Sequence, residues 1–443
     1  MPEDQIRVLS LNCWGLKYVA KHRDERIEGI AQELQNFDHD IVALQEIWVF
    51  ADYEKVQQRV SARLPHSKFF YSGALGAGLA IFSRFPIIST SVYPYSLNGA
   101  PIDVSAGDWF VGKAAASVII LHPVLGQVQI FNTHLFAKGG EDGPEYNRAH
   151  RLVNAWEFAK LTRQAAEVGR YVIALGDFNS IPTTLPITLI REHAALSDSW
   201  LVTHPSEGST TSVSVSTPID AVHKFGVTAD SPLNSYSAGK PLDPHARKFW
   251  GKRLDYVFYR QPYRQNASPD TRFPVLKAID CKVVMTGKVP GFDFSFSDHF
   301  ALETTLAIQS SGEQDTSQSS PAPTPPELSS ASTATIIQAL TSCYQFSRQR
   351  ARKEMRIFYI CLFLLLCITV GTPWLPHAWF NPIFFVLTIG LSWLATTMLY
   401  EGFLYGNWEC NALMNVIEEL EIHRKGLAFL ADSRRNSVGS VGH

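Results

Sequence analysis

The sequence predicts an α/β domain of buried sheets covered by helices, followed by a helical hairpin that enters a membrane. Three observations carry this. From residue 5 to about residue 308, short apolar runs of strand character alternate with amphipathic helical patterns, the arrangement of sheets buried on both faces. Residues 309–334, QSSGEQDTSQSSPAPTPPELSSASTA, hold hardly any large apolar side chain and cannot bury enough surface to fold alone. From Ile357 to Tyr400, 44 residues pass without an Asp, Glu, Lys or Arg.

In chain order, IRVLSLNCW reads as a strand, and RDERIEGIAQELQN sets Ile27, Ile30, Ala31 and Leu34 at helical spacing. DIVALQEI is a buried strand and YEKVQQRVSARL a second helix. GLAIFSR, AAASVIIL and QVQIFNTHL are strands, and NRAHRLVNAWEFAKLTRQAAEV is a long helix. YVIALGDF, RLDYVFYR and ALETTLAI complete the strands. Residues 200–250 show little regular patterning and read as a long loop over one face. The expected domains are therefore a soluble domain, 1–308; a linker, 309–345, with a coil reach of about 30 Å; and a membrane domain, 346–443.

The uncharged stretch breaks at GTPWLPHAWFNP into two candidate spans, about 357–375 and 379–400, each near the roughly 20 residues that cross a bilayer. Their Trp and Tyr flanks and the breaking prolines favour membrane helices over a hairpin buried in a soluble core. Arg348, Arg350, Arg352, Lys353 and Arg356 precede the first span, the basic EIHRKGLAFLADSRRN follows the second, and the turn between carries no charge. The positive-inside rule then puts both ends in the cytosol, with the endoplasmic reticulum and the mitochondrial outer membrane as candidate sites. The acidic start, MPEDQIRVLSLNCWG, lacks the design of a signal peptide. Six cysteines without a CxxC give no disulfide framework or zinc site and suit a reducing compartment. With 39 basic against 41 acidic residues, no overall basic excess points to nucleic acid as a partner.

Polar residues interrupt the strands at their C-terminal ends: Asn12 in LSLNCW, Glu46 in LQEIW, and Asn132 and His134 in FNTHL. Asp177 and Asn179 follow in LGDFNS, Asp255 in RLDYVF, and Asp298 and His299 in FSDHF. One such residue is usually a satisfied core polar group; six motifs at sheet ends, rich in acids, amides and histidines, indicate a site.

In this order and spacing they resemble the endonuclease/exonuclease/phosphatase superfamily over about residues 5–308, which implies a four-layer sandwich of two mixed β-sheets flanked by helices. LNCWGLKYVAKHRDERI, GLAIFSRFPI, GDWFVGKA and AHRLVNAWEF look like the neutral sphingomyelinases. With the C-terminal hairpin, the chain resembles the membrane-bound inositol phosphosphingolipid phospholipases C of fungi. The resemblance implies phospholipase C-type hydrolysis of a membrane sphingophospholipid, by inositol phosphate or choline phosphate head group, with Mg²⁺ as cofactor and Mn²⁺ as the alternative.

Residue chemistry agrees. Glu46 and Asn12 offer the hard oxygen ligands Mg²⁺ prefers, with Asp298 as a further ligand or an outer partner. His299 titrates in a range suited to taking a proton from water, and Asp255 would orient its imidazole. Asp177 and Asn179 would position the water and the phosphate oxygens, and His134 and Asn132 would bind the phosphoryl group. No acid near GALGAGLAIFSR partners His134, which suits hydrogen-bond donation rather than an acid role. GDWFVGKA nearly spells an ATP-binding loop, but Ala114 replaces the hydroxyl and a strand pattern follows. The resemblance instead implies that Asp108 and Lys113 shape head-group contact. A nuclease, an inositol polyphosphate 5-phosphatase and a catalytically silent tether are the rivals. LGDFNSIP and RLDYVFY depart from the phosphatase signatures. Anionic phospholipids are expected activators, because each basic residue beside the first span gains roughly 1 kcal/mol from an anionic leaflet.

Overall fold

The computed structural model describes residues 4–104, 107–139, 145–205, 217–242, 244–263, 273–309, 327–374 and 376–439. It divides into two units: one of residues 1–95, 110–141 and 154–329, and one of 96–109, 142–153 and 330–443.

The first unit is the predicted α/β sandwich. One six-stranded sheet contains β1 (Gln5–Asn12), β2 (Ile41–Gln45), β3 (His66–Phe70), β4 (Leu79–Ser83), β11 (Val275–Val284) and β12 (Ala301–Gln309), in the order β11-β12-β1-β2-β4-β3. The other contains β5 (Ile87–Pro94), β6 (Ala114–His122), β7 (Gly126–His134), β8 (Tyr171–Asp177), β9 (Ser197–Asp198) and β10 (Asp255–Arg260), in the order β5-β6-β7-β8-β10-β9. Each sheet is antiparallel except for one central parallel pair, β1 with β2 and β7 with β8.

The inner faces meet in a core of Val8, Ile41 and Ile81 against Val118, Ile130, Ile173 and Val257. The outer face of the first sheet packs on α1 (Arg23–Asn36) and α2 (Phe50–Val60) through Ile27, Ile30, Leu34, Tyr53 and Val56. These are the helical-spacing positions legible in the sequence. Over the second sheet lie α3 (Glu145–Glu167) and α4 (Leu185–His193); Phe158 of α3 meets Phe131 and Phe178 edge-on. Residues 200–250, expected as a loop, carry α5 (Ser199–Thr203), α6 (Pro218–Phe225) and α7 (Pro244–Phe249). These helices are too short for a periodic pattern to show.

Residues 310–326, most of the expected tether, lie outside the described residues. The second unit is built on α8 (Ser330–Gly371), α9 (Phe380–Leu399) and α10 (Gly406–Gly439), with a π-helical turn at Tyr400–Tyr405. The first of these helices starts inside the stretch read as linker and runs without a break through the basic cluster into the apolar span. Among the described residues, two helical stretches are long and apolar enough to cross a membrane, with mean hydropathy 2.1 and 1.8, and only 6% and 11% of their apolar windows are covered by protein. Uncovered apolar faces of this size are stable only against lipid or another apolar surface.

One ion cluster inside the first sheet gives a stability prediction. Glu303 of β12 is buried and accepts from His39 Nε2 (2.8 Å), with Lys282 Nζ at 3.1 Å. Burial opposes its charged form, yet the bonds from His39 and Lys282 lower its pKa from 4.5 to about 2. Because the folded-state pKa is depressed, the stabilisation is fully present above pH 4.5 and disappears as pH falls toward 2. Glu303→Gln should therefore cost on the order of 2–3 kcal/mol at neutral pH, and thermal unfolding at pH 7 and pH 3 should show the gap between variant and parent narrowing in acid.

Candidate active site

The two central parallel pairs end side by side, and their C-terminal ends carry the polar residues. β1 ends in Asn12 beside Gln45, and Glu46 follows at φ 55°; β7 ends in His134 beside Asp177 of β8. Trp14, at φ 46°, and Asn179, at φ 47°, likewise sit in the left-handed region at strand exits. Such conformations cost about 1–3 kcal/mol each and are retained where they aim a side chain. Gly176, at φ 147°, lets β8 press on β7: a Cβ there would stand 2.1 Å from the Thr133 carbonyl oxygen.

The structure gathers Asn12, Glu46, His134, Asp177, Asn179, Asp255, Asp298 and His299 into one cluster. Asn12 Nδ2 donates to Glu46 Oε1 (3.0 Å) and to Asp177 Oδ2 (3.0 Å), joining the two sheets, while its Oδ1 accepts from the Trp14 amide. Asp255 Oδ2 lies 2.8 Å from His299 Nδ1, and Asp177 Oδ2 lies 3.8 Å from His299 Nε2. The Asn179 amide donates to Asp177 Oδ1 (2.8 Å), and its side chain donates to the Leu135 carbonyl. Asp298 accepts from Ser297, whose hydroxyl also ties to the Asn12 carbonyl.

Asn132 is placed differently from expectation. It is fully buried, donating to the Leu44 and Ala80 carbonyls and accepting from Gln45 Nε2. With its polar atoms spent inside the protein, it acts as a staple between the sheets and does not face a substrate. Lys113 is buried, donating to the Leu135 carbonyl and lying 3.2 Å from His134 Nε2. An ammonium has no acceptor, so His134 Nε2 accepts from it. Asp108 belongs to the second unit. The near-ATP loop spends its second glycine elsewhere: a Cβ on Gly112 would stand 2.3 Å from the backbone of Ser72, so this stretch lies flat on residues 72–76 instead of wrapping a phosphate.

Electrostatics divide the cluster. Burial, then the Lys113 and His299 charges, hold His134 well below the usual imidazole range, so it is neutral. Burial acts the same way on His299, but Asp255 and Asp177 outweigh it and raise its pKa well above the ordinary value. Burial lifts Asp177 to about 6. Glu46 is pushed up by burial and then by the charge of Asp298, itself raised by burial. A cation beside these two half-buried carboxylates would offset the Asp298 charge that raises Glu46, and an all-oxygen donor set suits Mg²⁺. Asp177, Asp255 and His299 also bring ligand atoms within 4.8 Å of one another. A further His150, Cys343 and Glu409 group lies in the second unit, where Arg350 Nη2 already donates to Glu409 (2.6 Å).

Sequence reasoning missed three supports of the site. Gln45 holds Asn132; Arg26 of α1 donates from full burial to the carbonyls of Cys13, Trp14 and Phe296; and the Thr228 hydroxyl accepts from the Asp255 amide. Arg26 had a signal: a cation on the apolar stripe with Ile27, Ile30 and Leu34.

Residues 9–299 match the Endonuclease/Exonuclease/phosphatase family. The chain belongs to this family. Within it the relatives are specific. An inositol phosphosphingolipids phospholipase C of Schizosaccharomyces pombe is 37% identical over 426 residues, 94% of each chain. The Saccharomyces cerevisiae protein of the same name is 31% identical, over 94% of this chain and 89% of that one. Sphingomyelin phosphodiesterase 2 of Rattus norvegicus is 32% identical, over 70% of this chain and 67% of that one. The chain is thus a phosphoric diester hydrolase of the neutral sphingomyelinase branch of the Endonuclease/Exonuclease/phosphatase family.

The His299–Asp255 pair makes a pH prediction. Removing the Asp255 charge in Asp255→Asn removes an interaction that raises the His299 pKa, so the acid limb of the kcat/KM profile should move to lower pH. Turnover should fall by roughly 10²–10⁴-fold, as it should for His299→Ala. An acid limb that stays in place in Asp255→Asn would reassign the group that titrates.

Proposed function

We propose that the chain hydrolyses membrane sphingophospholipids, inositol phosphosphingolipids and sphingomyelin being the candidates, to ceramide and a phosphorylated head group, with Mg²⁺ as cofactor. The observation that carries the mechanism is the His299–Asp255 pair, with Asp177 on the far ring nitrogen of His299 and the Glu46–Asp298 acids alongside.

Asp255 accepts the proton on His299 Nδ1 and fixes the ring, leaving Nε2 to take a proton from the attacking water. The new bond joins the water oxygen to phosphorus, and the bond to the ceramide oxygen breaks; that oxygen takes a proton from solvent water and leaves as the alcohol, while His299 returns to solvent the proton it took. Asp177, held by the Asn12 side chain and the Asn179 amide, accepts from the water and orients it. Lys113, beside neutral His134, supplies positive charge for the equatorial phosphoryl oxygens. Glu46, with Asn12 and Asp298, would hold the metal, which supplies charge neutralisation at the phosphoryl oxygens and the departing oxygen.

The hairpin supports an integral membrane protein with both termini cytosolic, in the endoplasmic reticulum or the mitochondrial outer membrane. Anionic phospholipids are the proposed activators, and the expected set of five cations narrows. Arg350 turns inward to Glu409, whereas Arg348, Arg352 and Arg356 line a groove of about 420 Å³ with Tyr359 and Phe403, at the foot of the apolar span. Three guanidinium groups one helical turn apart beside aromatic rings suit a phospholipid head group.

Two measurements test these readings. Offered a labelled sphingolipid, a DNA duplex and an inositol polyphosphate, the protein should cleave the sphingolipid alone and should need Mg²⁺; turnover of either other substrate favours the nuclease or phosphatase alternative. On sphingolipid vesicles, added phosphatidylserine should raise activity severalfold, and replacing Arg348, Arg352 and Arg356 by Gln should abolish that increase while leaving turnover in detergent micelles intact.

A further inference from the structure

Beside the catalytic pair lies a cavity of about 310 Å³ whose polar lining is drawn largely from residues outside the sequence motifs. Asn179, Asp298 and His299 give the polar part of its inner wall; Asp230, Ser237, Lys240 and Lys252 give the polar part of its outer wall. All belong to the first unit.

The outer wall is fixed to the catalytic residues by backbone. Ala229 forms bridges with both Lys252 and His299, the Lys252 amide donates to the Ala229 carbonyl (2.8 Å), and the Phe300 amide donates to the Thr228 carbonyl (2.7 Å). Thr228 also caps the Asp255 amide with its hydroxyl. Residues 228–230 therefore form a short rung between the segment leading to Asp255 and the one bearing His299. Asp230 leaves that rung at φ 55°, an uncommon conformation for a side chain, and its Oδ2 meets Lys252 Nζ at 3.0 Å. Lys240 is exposed at the mouth and makes no ion pair among the described residues.

The chemistry of this wall is selective. It offers two ammonium groups, one carboxylate and one hydroxyl, and no aromatic ring lines it. A quaternary ammonium is recognised by aromatic faces, and no Phe, Tyr or Trp lines this cavity; at its mouth it would meet the Lys240 ammonium. A polyol is recognised by dense, paired donors and acceptors: its hydroxyls can donate to Asp230 and accept from both lysines and Ser237. An additional phosphate on the polyol would be attracted to the same cations.

We propose that Lys240, with the Asp230–Lys252 pair, forms the head-group subsite, reading the hydroxyls of a polyol phosphate and disfavouring a quaternary ammonium. This rests on the sphingophospholipid hydrolase reading above.

The test uses the full chain in mixed micelles with inositol phosphoceramide, sphingomyelin and a soluble aryl phosphodiester that has no head group. Loss of one charged hydrogen bond corresponds to about ten- to hundredfold. Lys240→Ala and Asp230→Asn should each lower kcat/KM for inositol phosphoceramide by that factor, chiefly through KM. Sphingomyelin turnover should hold or rise, aryl diester turnover should hold, and Lys240→Arg should restore most of the loss. Equal losses on both sphingolipids, or an unchanged ratio between them, overturns the subsite alone. If the parent protein cleaves the aryl diester but neither sphingolipid, the hydrolase reading fails and the subsite with it.

Discussion

Two side-chain amides cross from one sheet to the other, and the site depends on them. Asn12, at the end of β1, donates to Glu46 of its own sheet's loop and to Asp177 of the opposite sheet. Asn132, on β7, spends both its donors on the carbonyls of Leu44 and Ala80 and its acceptor on Gln45. Apolar side chains fill the space between the sheets but are indifferent to small slips of one sheet over the other. A buried amide is not: a slip leaves donors unpaired in a low-dielectric interior, at about 1–3 kcal/mol for each group. The register in which the ends of β1 and β2 face those of β7 and β8 is therefore set by polar bonds, and the packed core then holds it.

That register permits an otherwise costly concentration of charge. Glu46, Asp177, Asp255 and Asp298 lie within one cluster around the His299 imidazole, and burial raises three of the four. Left to relax, the loops carrying them would move apart. Arg26 prevents this on one side by gripping the carbonyls of Cys13, Trp14 and Phe296, and the Thr228 rung prevents it on the other. Acids compressed in this way are preorganised for a cation and a phosphate, because the cost of bringing them together has been met in folding.

The sequence disclosed the strands that are buried on both faces: β2, β4, β8 and β10 are nearly continuous apolar or aromatic runs, and β1 and β7 set apolar residues among polar ones. It pointed to the residues gathered at the strand ends because each of them interrupts an apolar context. It concealed β5, an edge strand largely exposed and polar in IISTSVYP, and the five- to eight-residue helices between 199 and 249, where no period has room to repeat. Asn132 shows the limit on site residues. In the chain it has the same standing as His134, two positions on and on the same face of the strand, yet depth separates them: Asn132 lies in the gap between the sheets and His134 at the strand's end. Arg350 is the same case on a helix: two positions from Arg348 and from Arg352, it points to another face and binds Glu409 instead of solvent or lipid.

The contrast between motif and non-motif residues extends to what the site can recognise. The residues proposed to act on phosphorus stand at the ends of strands, where the sheet fixes them and an apolar context advertises them. Residues that line the rest of the cavity, Asp230, Lys240 and Lys252, come from the irregular 200–252 stretch, where a charged side chain is the default and signals nothing by itself. The Thr228–Asp230 rung makes them part of the site: its bridges carry the position of His299 outward to a pair of side chains that take no part in the bond change. A hydrolase built this way can keep its chemistry constant while its outer wall alters, since a substitution at residue 230 or 240 changes charge in the cavity without moving the atoms that hold Asp255 and His299 together.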